Sequence, residues 1–189
     1  MSFHSLFAFL LSAPLLATQD SAPAPAVPVR TIAATSSPVK RFALDEKQTR
    51  IALVSGARDV SLVLRAKDER IWERSGDFFA MFDVEIAGDC VIATSIRAIY
   101  EAFELDSGKP KQSTGAADFE ATTTCSAVDP QARWIWIGSD DDVLQRITPG
   151  VMNGWSRRVL GHGGSTAMAL SADGDLLVVG GGDRTLRFA

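Results

Sequence analysis

Chemistry in a protein is carried mostly by histidine, cysteine and paired carboxylates, and this 189-residue chain offers few of them in workable groupings. His4 and His162 are its only histidines, Cys90 and Cys125 its only cysteines. Three or four His/Cys ligands at zinc spacing cannot be assembled from these, so no metal is expected. His162 with Asp183 and Ser165 has the residue types of a nucleophile, base and orienter. However, Gly161, Gly163 and Gly164 surround the histidine as in a tight turn, and no Gly-x-Ser-x-Gly segment is present. His162 and Asp183 are therefore expected to staple a turn, and no catalytic residue is assigned. The triplet Asp140-Asp141-Asp142 lacks the spaced oxygen ligands of a calcium loop, which makes Asp141 a turn residue bonding backbone amides. Gly180-Gly181-Gly182 is followed by neither Lys-Ser/Thr nor a helix start, so it ends a strand and cradles no phosphate. Trp134 and Trp136, two apart, share a strand face and are expected to pack between sheets; a carbohydrate or quinone platform is the alternative. Trp155, in the polar loop Gly150 to Ser156, is the candidate exposed contact residue. No cofactor is implied.

The composition, 46% apolar and 22% charged, is that of a globular protein. Nineteen Lys plus Arg against 23 Asp plus Glu leave a net charge of −4, which argues against a nucleic-acid partner. Residues 1–17 contain the apolar run Phe3 to Ala17, too short to span a bilayer and suited to a secretory leader. A signal peptide over 1–17 is expected, with Ala22 to Ala26 as the alternative cut. The protein is then exported, periplasmic or extracellular, with no membrane span after leader removal. Residues 18–38, rich in Pro, Ala, Ser and Thr, read as a linker. Export favours a disulfide, but Cys90 opens a second strand and Cys125 a first strand. Those ends lie about 13 to 17 Å apart at 3.3 Å per residue, so two buried free thiols are expected.

The elements that must position these residues emerge from a repeat. Leu44, Ile86, Val128 and Leu170 each close a short apolar strand and fall at intervals of 42 residues. In the last two units Gly138 maps onto Gly180, Asp141 onto Asp183 and Leu144 onto Leu186; Trp134 maps onto Leu176 and, one period earlier, onto Ile92. A slip of one or two residues is assigned to the first unit. Each unit reads strand, turn, strand, turn, strand, and the second strands (Ile51 to Val54, Cys90 to Ala93, Trp134 to Ile137, Leu176 to Val179) are apolar without alternation. Sheets stacked face to face around an axis follow. Residues 39–189 are predicted to be an all-β propeller of four-stranded antiparallel blades. They hold about 3.6 repeats, an incomplete ring that lacks the outer strand of its last blade.

Gly161-His162, the strand Ala167 to Leu170, Ser171-Ala172-Asp173-Gly174, Leu176 to Val179, Gly180 to Asp183 and Thr185 to Phe188 together resemble a WD40 repeat. The resemblance is good over 161–189, partial over 125–160, and one of pattern over 39–124. It implies a buried blade staple that includes His162 and Asp183. Val179 and Gly181 stand at its hydroxyl positions and Ala189 where its tryptophan belongs, so the name that fits is WD40-like. The segment Ile99 to Lys109 is equally similar to quinoprotein-like bacterial propellers.

A WD40-like propeller implies a non-enzymatic protein-binding or scaffold module whose partner is another protein. The alternative is the propeller portion of a secreted enzyme, such as a quinoprotein-like oxidoreductase or a hydrolase; a propeller fused to a catalytic domain is a third arrangement. The missing blades are expected from the same longer chain or from a second copy.

Overall fold

A computed structural model describes residues 35, 37–76, 79–115, 121–149, 151, 155–159 and 163–188. Residues 1–34, where a leader and most of a linker are expected, lie outside them, as do Gly161 and His162. The described residues form strands and turns, with no helix among them. Blade 1 is β1 (Val39–Leu44), β2 (Arg50–Ser55), β3 (Asp59–Leu64) and β4 (Glu69–Ser75); blade 2 is β5 (Met81–Ala87), β6 (Cys90–Ser95), β7 (Ile99–Glu104) and β8 (Pro110–Gly115). Blade 3 is β9 (Thr123–Val128), β10 (Ile135–Ser139), β11 (Val143–Ile147) and β12 (Trp155–Val159), and blade 4 is β13 (Ser165–Leu170), β14 (Leu177–Gly181) and β15 (Leu186–Phe188). Every sheet is an antiparallel meander in chain order, and the fourth has three strands. The arrangement is a four-bladed β-propeller, as the repeat predicts.

The inner strands keep the 42-residue interval in three dimensions: Leu44, Ile86, Val128 and Leu170 pair with Ile51, Val91, Ile135 and Leu177. Those pairings relocate the slip. The partners are seven positions apart in blades 1, 3 and 4 but five in blade 2, because Ala87 pairs with Cys90 across the short turn Gly88-Asp89, with Gly88 at φ 57. The counterpart of Trp134 in blade 2 is thus Cys90, not Ile92, and the first unit carries no slip. Each inner strand is also bulged at the same point, leaving Lys40, Phe82, Thr124 and Thr166 unpaired in the ladder.

The apolar second strands are covered on both faces because the core lies between blades. Val54, Val60, Leu62 and Trp72 of blade 1 pack on Met81, Val84, Ala93 and Phe103 of blade 2. Ile92, Tyr100 and Ala102, on the other face of blade 2, pack on Ile135, Ile137 and Ile147. Ala127 and Leu144 of blade 3 meet Leu177 and Val179 of blade 4. Full burial of each large side chain stabilises the stack by roughly 1.5–3 kcal/mol. The contacts run β1 to β5, β5 to β9 and β9 to β13, with no comparable contact from β13 back to β1. At the positions where Val84 and Met168 meet the preceding blade, blade 1 has Phe42, 66% exposed. Where Leu62 and Ala102 meet the following blade, blade 4 has Phe188, 68% exposed. Each outer face of the stack thus exposes an apolar side chain that no described strand covers.

Candidate functional site

The turns joining first to second strands gather at one end of the blades. Asp45, Glu46, Lys47, Thr49 and Arg50 of blade 1, Ile86 and Gly88 of blade 2, Pro130 and Gln131 of blade 3 and Ala172 of blade 4 line one concavity of about 770 Å³. Local side-chain bonds shape its walls. Asp45 caps its own turn, accepting from the Thr49 and Arg50 amides at 2.6 and 2.9 Å and from the Thr49 hydroxyl at 2.7 Å. Burial works against its ionisation, yet those bonds and Arg50 leave the Asp45 carboxyl below its ordinary value. Asp129, with no side-chain exposure, accepts from the Gln131 and Arg133 amides and twice from the Arg133 guanidinium. The Arg133 bonds, ahead of the burial that opposes them, hold its carboxyl below the usual range. Arg133 also donates to the Asp173 carbonyl at 2.8 Å, and Gly174, at φ 79, leaves space for this knot because a Cβ there would strike Asp129 and Arg133. The turns of blades 3 and 4 are thus locked together.

A second concavity, of about 480 Å³, opens between blades 3 and 4. Trp136, Arg146 and Ser156 form one cross-strand row over β10, β11 and β12, with Trp134 and Arg158 alongside, and Leu170, Gly174, Asp175 and Leu177 face them from blade 4. The Arg146 guanidinium lies 5.7 Å from the ring centres of both Trp134 and Trp136, and that of Arg133 lies 4.4 Å from Trp134. Both tryptophans are half-buried. Trp136 packs against the core between blades 3 and 4, as its pattern predicts, while both rings also line the cleft.

No family model matches this sequence, and no curated protein matches it. The site therefore rests on its own geometry.

Of the residues singled out by sequence, Asp141 accepts from the Val143 amide at 3.3 Å and from the Ser139 hydroxyl. Asp183 accepts from the Thr185 amide at 3.1 Å, the Thr185 hydroxyl at 2.7 Å and the two terminal guanidinium nitrogens of Arg187. Arg187 and Thr185 hold the Asp183 carboxyl well below its ordinary value. The two aspartates serve equivalent turns, each followed by a left-handed residue, Asp142 or Arg184. His162, expected to share a staple with Asp183, lies outside the described residues. Trp155 corrects the loop expectation: it opens β12, its backbone paired with Ile147, because it falls on the edge strand that pairs with β11. Cys90 and Cys125 are free and buried, and burial raises both thiols above their ordinary value.

Two features escaped the sequence reading. Arg146 occupies the interface position held by Leu62 in blade 1 and Ala102 in blade 2, an exception visible once the third strands are aligned. Asp83 and Glu85 sit two apart on β5, facing blade 3, where the Ser126 hydroxyl bonds Asp83 at 2.8 Å and Thr94 at 3.0 Å. Burial, then the neighbouring charge of Asp83, pushes Glu85 up to about 7; burial also raises Asp83. Their i, i+2 spacing on an inner strand was the available signal.

Proposed function

We propose that this propeller is a non-enzymatic protein-binding or scaffold module of WD40-like type, exported from the cell, that engages another protein with its turn end. The concavity built by turns from all four blades supports this reading. Glu46, Lys47 and Gln131 are exposed there on turns held by capping bonds, and both signs of charge are offered to a partner. A rigid, polar, multi-turn surface costs little ordering on association. The enzyme alternative would use Asp83 and Glu85. They point into the contact between blades 2 and 3, and Asp83 is already engaged by Ser126, which favours the binding reading.

The test is site-directed photo-crosslinking in cells exporting the full chain, with benzoylphenylalanine placed at Lys47, at Gln131, or at Arg70 on β4. One and the same protein should be captured from Lys47 and Gln131 and not from Arg70. Equal capture from Arg70, or none from the turn end, would overturn the proposal.

A further inference from the structure

The cleft between blades 3 and 4 departs from the rule of the other two interfaces. At the third-strand position where blade 1 buries Leu62 and blade 2 buries Ala102, blade 3 presents Arg146, exposed and 5.7 Å from the ring centres of two tryptophans. Arg158, exposed one strand further out, lines the same cleft. Among the described residues neither arginine has an acidic partner. The one acid lining the cleft, Asp175, lies in the field of Arg133. Two guanidiniums are thus left uncompensated beside an apolar floor of Trp136, Leu170 and Leu177.

We propose that this cleft binds an acidic peptide in extended form, with carboxylates on Arg146 and Arg158 and an adjoining apolar side chain on Trp136, Leu170 and Leu177. Three observations select that ligand. The Arg146 guanidinium sits within cation–π reach of two indoles, which confine it at the cleft, and its planar fork matches a carboxylate bidentately. The apolar floor rewards a hydrophobic neighbour that a sugar polyanion lacks. β12, at the edge of its sheet, leaves backbone groups free for main-chain pairing with an extended segment. The cleft is separate from the turn-end concavity, so crosslinking from Lys47 can fail without touching this assignment.

The probe is an acetylated, amidated, fluorescein-labelled 12-residue peptide of mixed glutamate and leucine, titrated against the full chain by fluorescence polarisation. A twin with every Glu replaced by Gln, a phosphoserine-substituted twin and a heparin oligosaccharide are run beside it. Saturable binding is expected, weakened about tenfold or more in the Gln twin, and falling as salt rises. Arg146→Gln and Arg158→Gln should each weaken it at least about fivefold, while Arg70→Gln leaves it unchanged. Urea midpoints separate loss of binding from loss of fold, and Arg158, on an edge strand, provides the variant least able to disturb folding. Equal binding of the Gln twin, preference for the phosphopeptide or heparin, indifference to both arginine substitutions in folded protein, or no binding would each overturn the proposal.

Discussion

Gly138 and Gly180 occupy the same place in successive blades, so one substitution made at each reads out the effect of a neighbouring blade. A Cβ on Gly138 would come within 2.6 Å of the Ser165 Cβ and 2.8 Å of the Cys125 Sγ. On Gly180 the nearest atoms are Thr166 Oγ1 at 3.6 Å and the Ala167 carbonyl and Leu186 side chain at 3.8 Å, all within its own blade and at ordinary contact. Neither glycine has a positive φ, so alanine is conformationally allowed at both. Gly→Ala then gains about 0.4–1 kcal/mol by restricting the unfolded chain. At position 138 overpacking against β13 costs about 1–3 kcal/mol, a net loss of about 1–2. Gly138→Ala and Gly180→Ala should therefore differ by about 2 kcal/mol and in opposite directions. At a urea slope of about 2 kcal/mol/M their midpoints separate by about 1 M. Urea unfolding followed by tryptophan fluorescence over a tenfold range of protein concentration is the assay. Midpoints that move together at low concentration would refute the reasoning. A Gly180→Ala cost that grows with concentration would mean that a second copy covers blade 4.

Titration of thiols in the denatured, unreduced protein should give two per chain, and the folded protein should react slowly, since both cysteines are buried. Glu85→Gln should stabilise at pH 8 and change nothing at pH 4. The folded carboxyl, raised from 4.5 to about 7, binds its proton more tightly than the unfolded one, so stability is lost as pH rises through that window, by at most about 3 kcal/mol. Asp129→Ala should destabilise by about 2 kcal/mol or more by breaking the knot with Arg133, and Asp129→Asn should recover part of this through the turn amides; both are read from urea midpoints.

The inner strands were legible because each presents the same apolar step at 42-residue intervals, and the turns because Asp, Gly and Ser stand where amides need capping. Register within blade 2 was not. Cys90 and Ile92, two apart, are both apolar and both buried on the face toward blade 3, so hydrophobicity alone cannot tell a two-residue shift from none. An outer strand was expected for blade 3, but its start was not legible: an outer strand is solvated, and Ser156, Arg157 and Arg158 carry no apolar period that would place Trp155 in β12 and not in the loop before it. Asp141 and Asp183 were readable as turn residues from local spacing. The Arg146 cleft depends on which side chains meet across three strands and two blades, which linear spacing does not encode until the blades are superposed.

The repeated bulge makes one position in each blade answerable to no cross-strand partner. In blades 3 and 4 the residue there is threonine, whose hydroxyl reaches the glycine carbonyl opposite, Thr124 to Gly138 at 3.2 Å and Thr166 to Gly180 at 3.1 Å. Blades 1 and 2 carry Lys40 and Phe82 instead, side chains that make no such bond. Thr124 also donates to the Ser165 carbonyl of blade 4, so identity at this point follows the neighbouring blade while the strand on either side stays in register. A label or cross-linking handle set at Lys40 would mark the rim without retuning the sheet. A designer averaging the blades into a consensus would write threonine at all four positions, restoring to the first two a bond that the last two already possess.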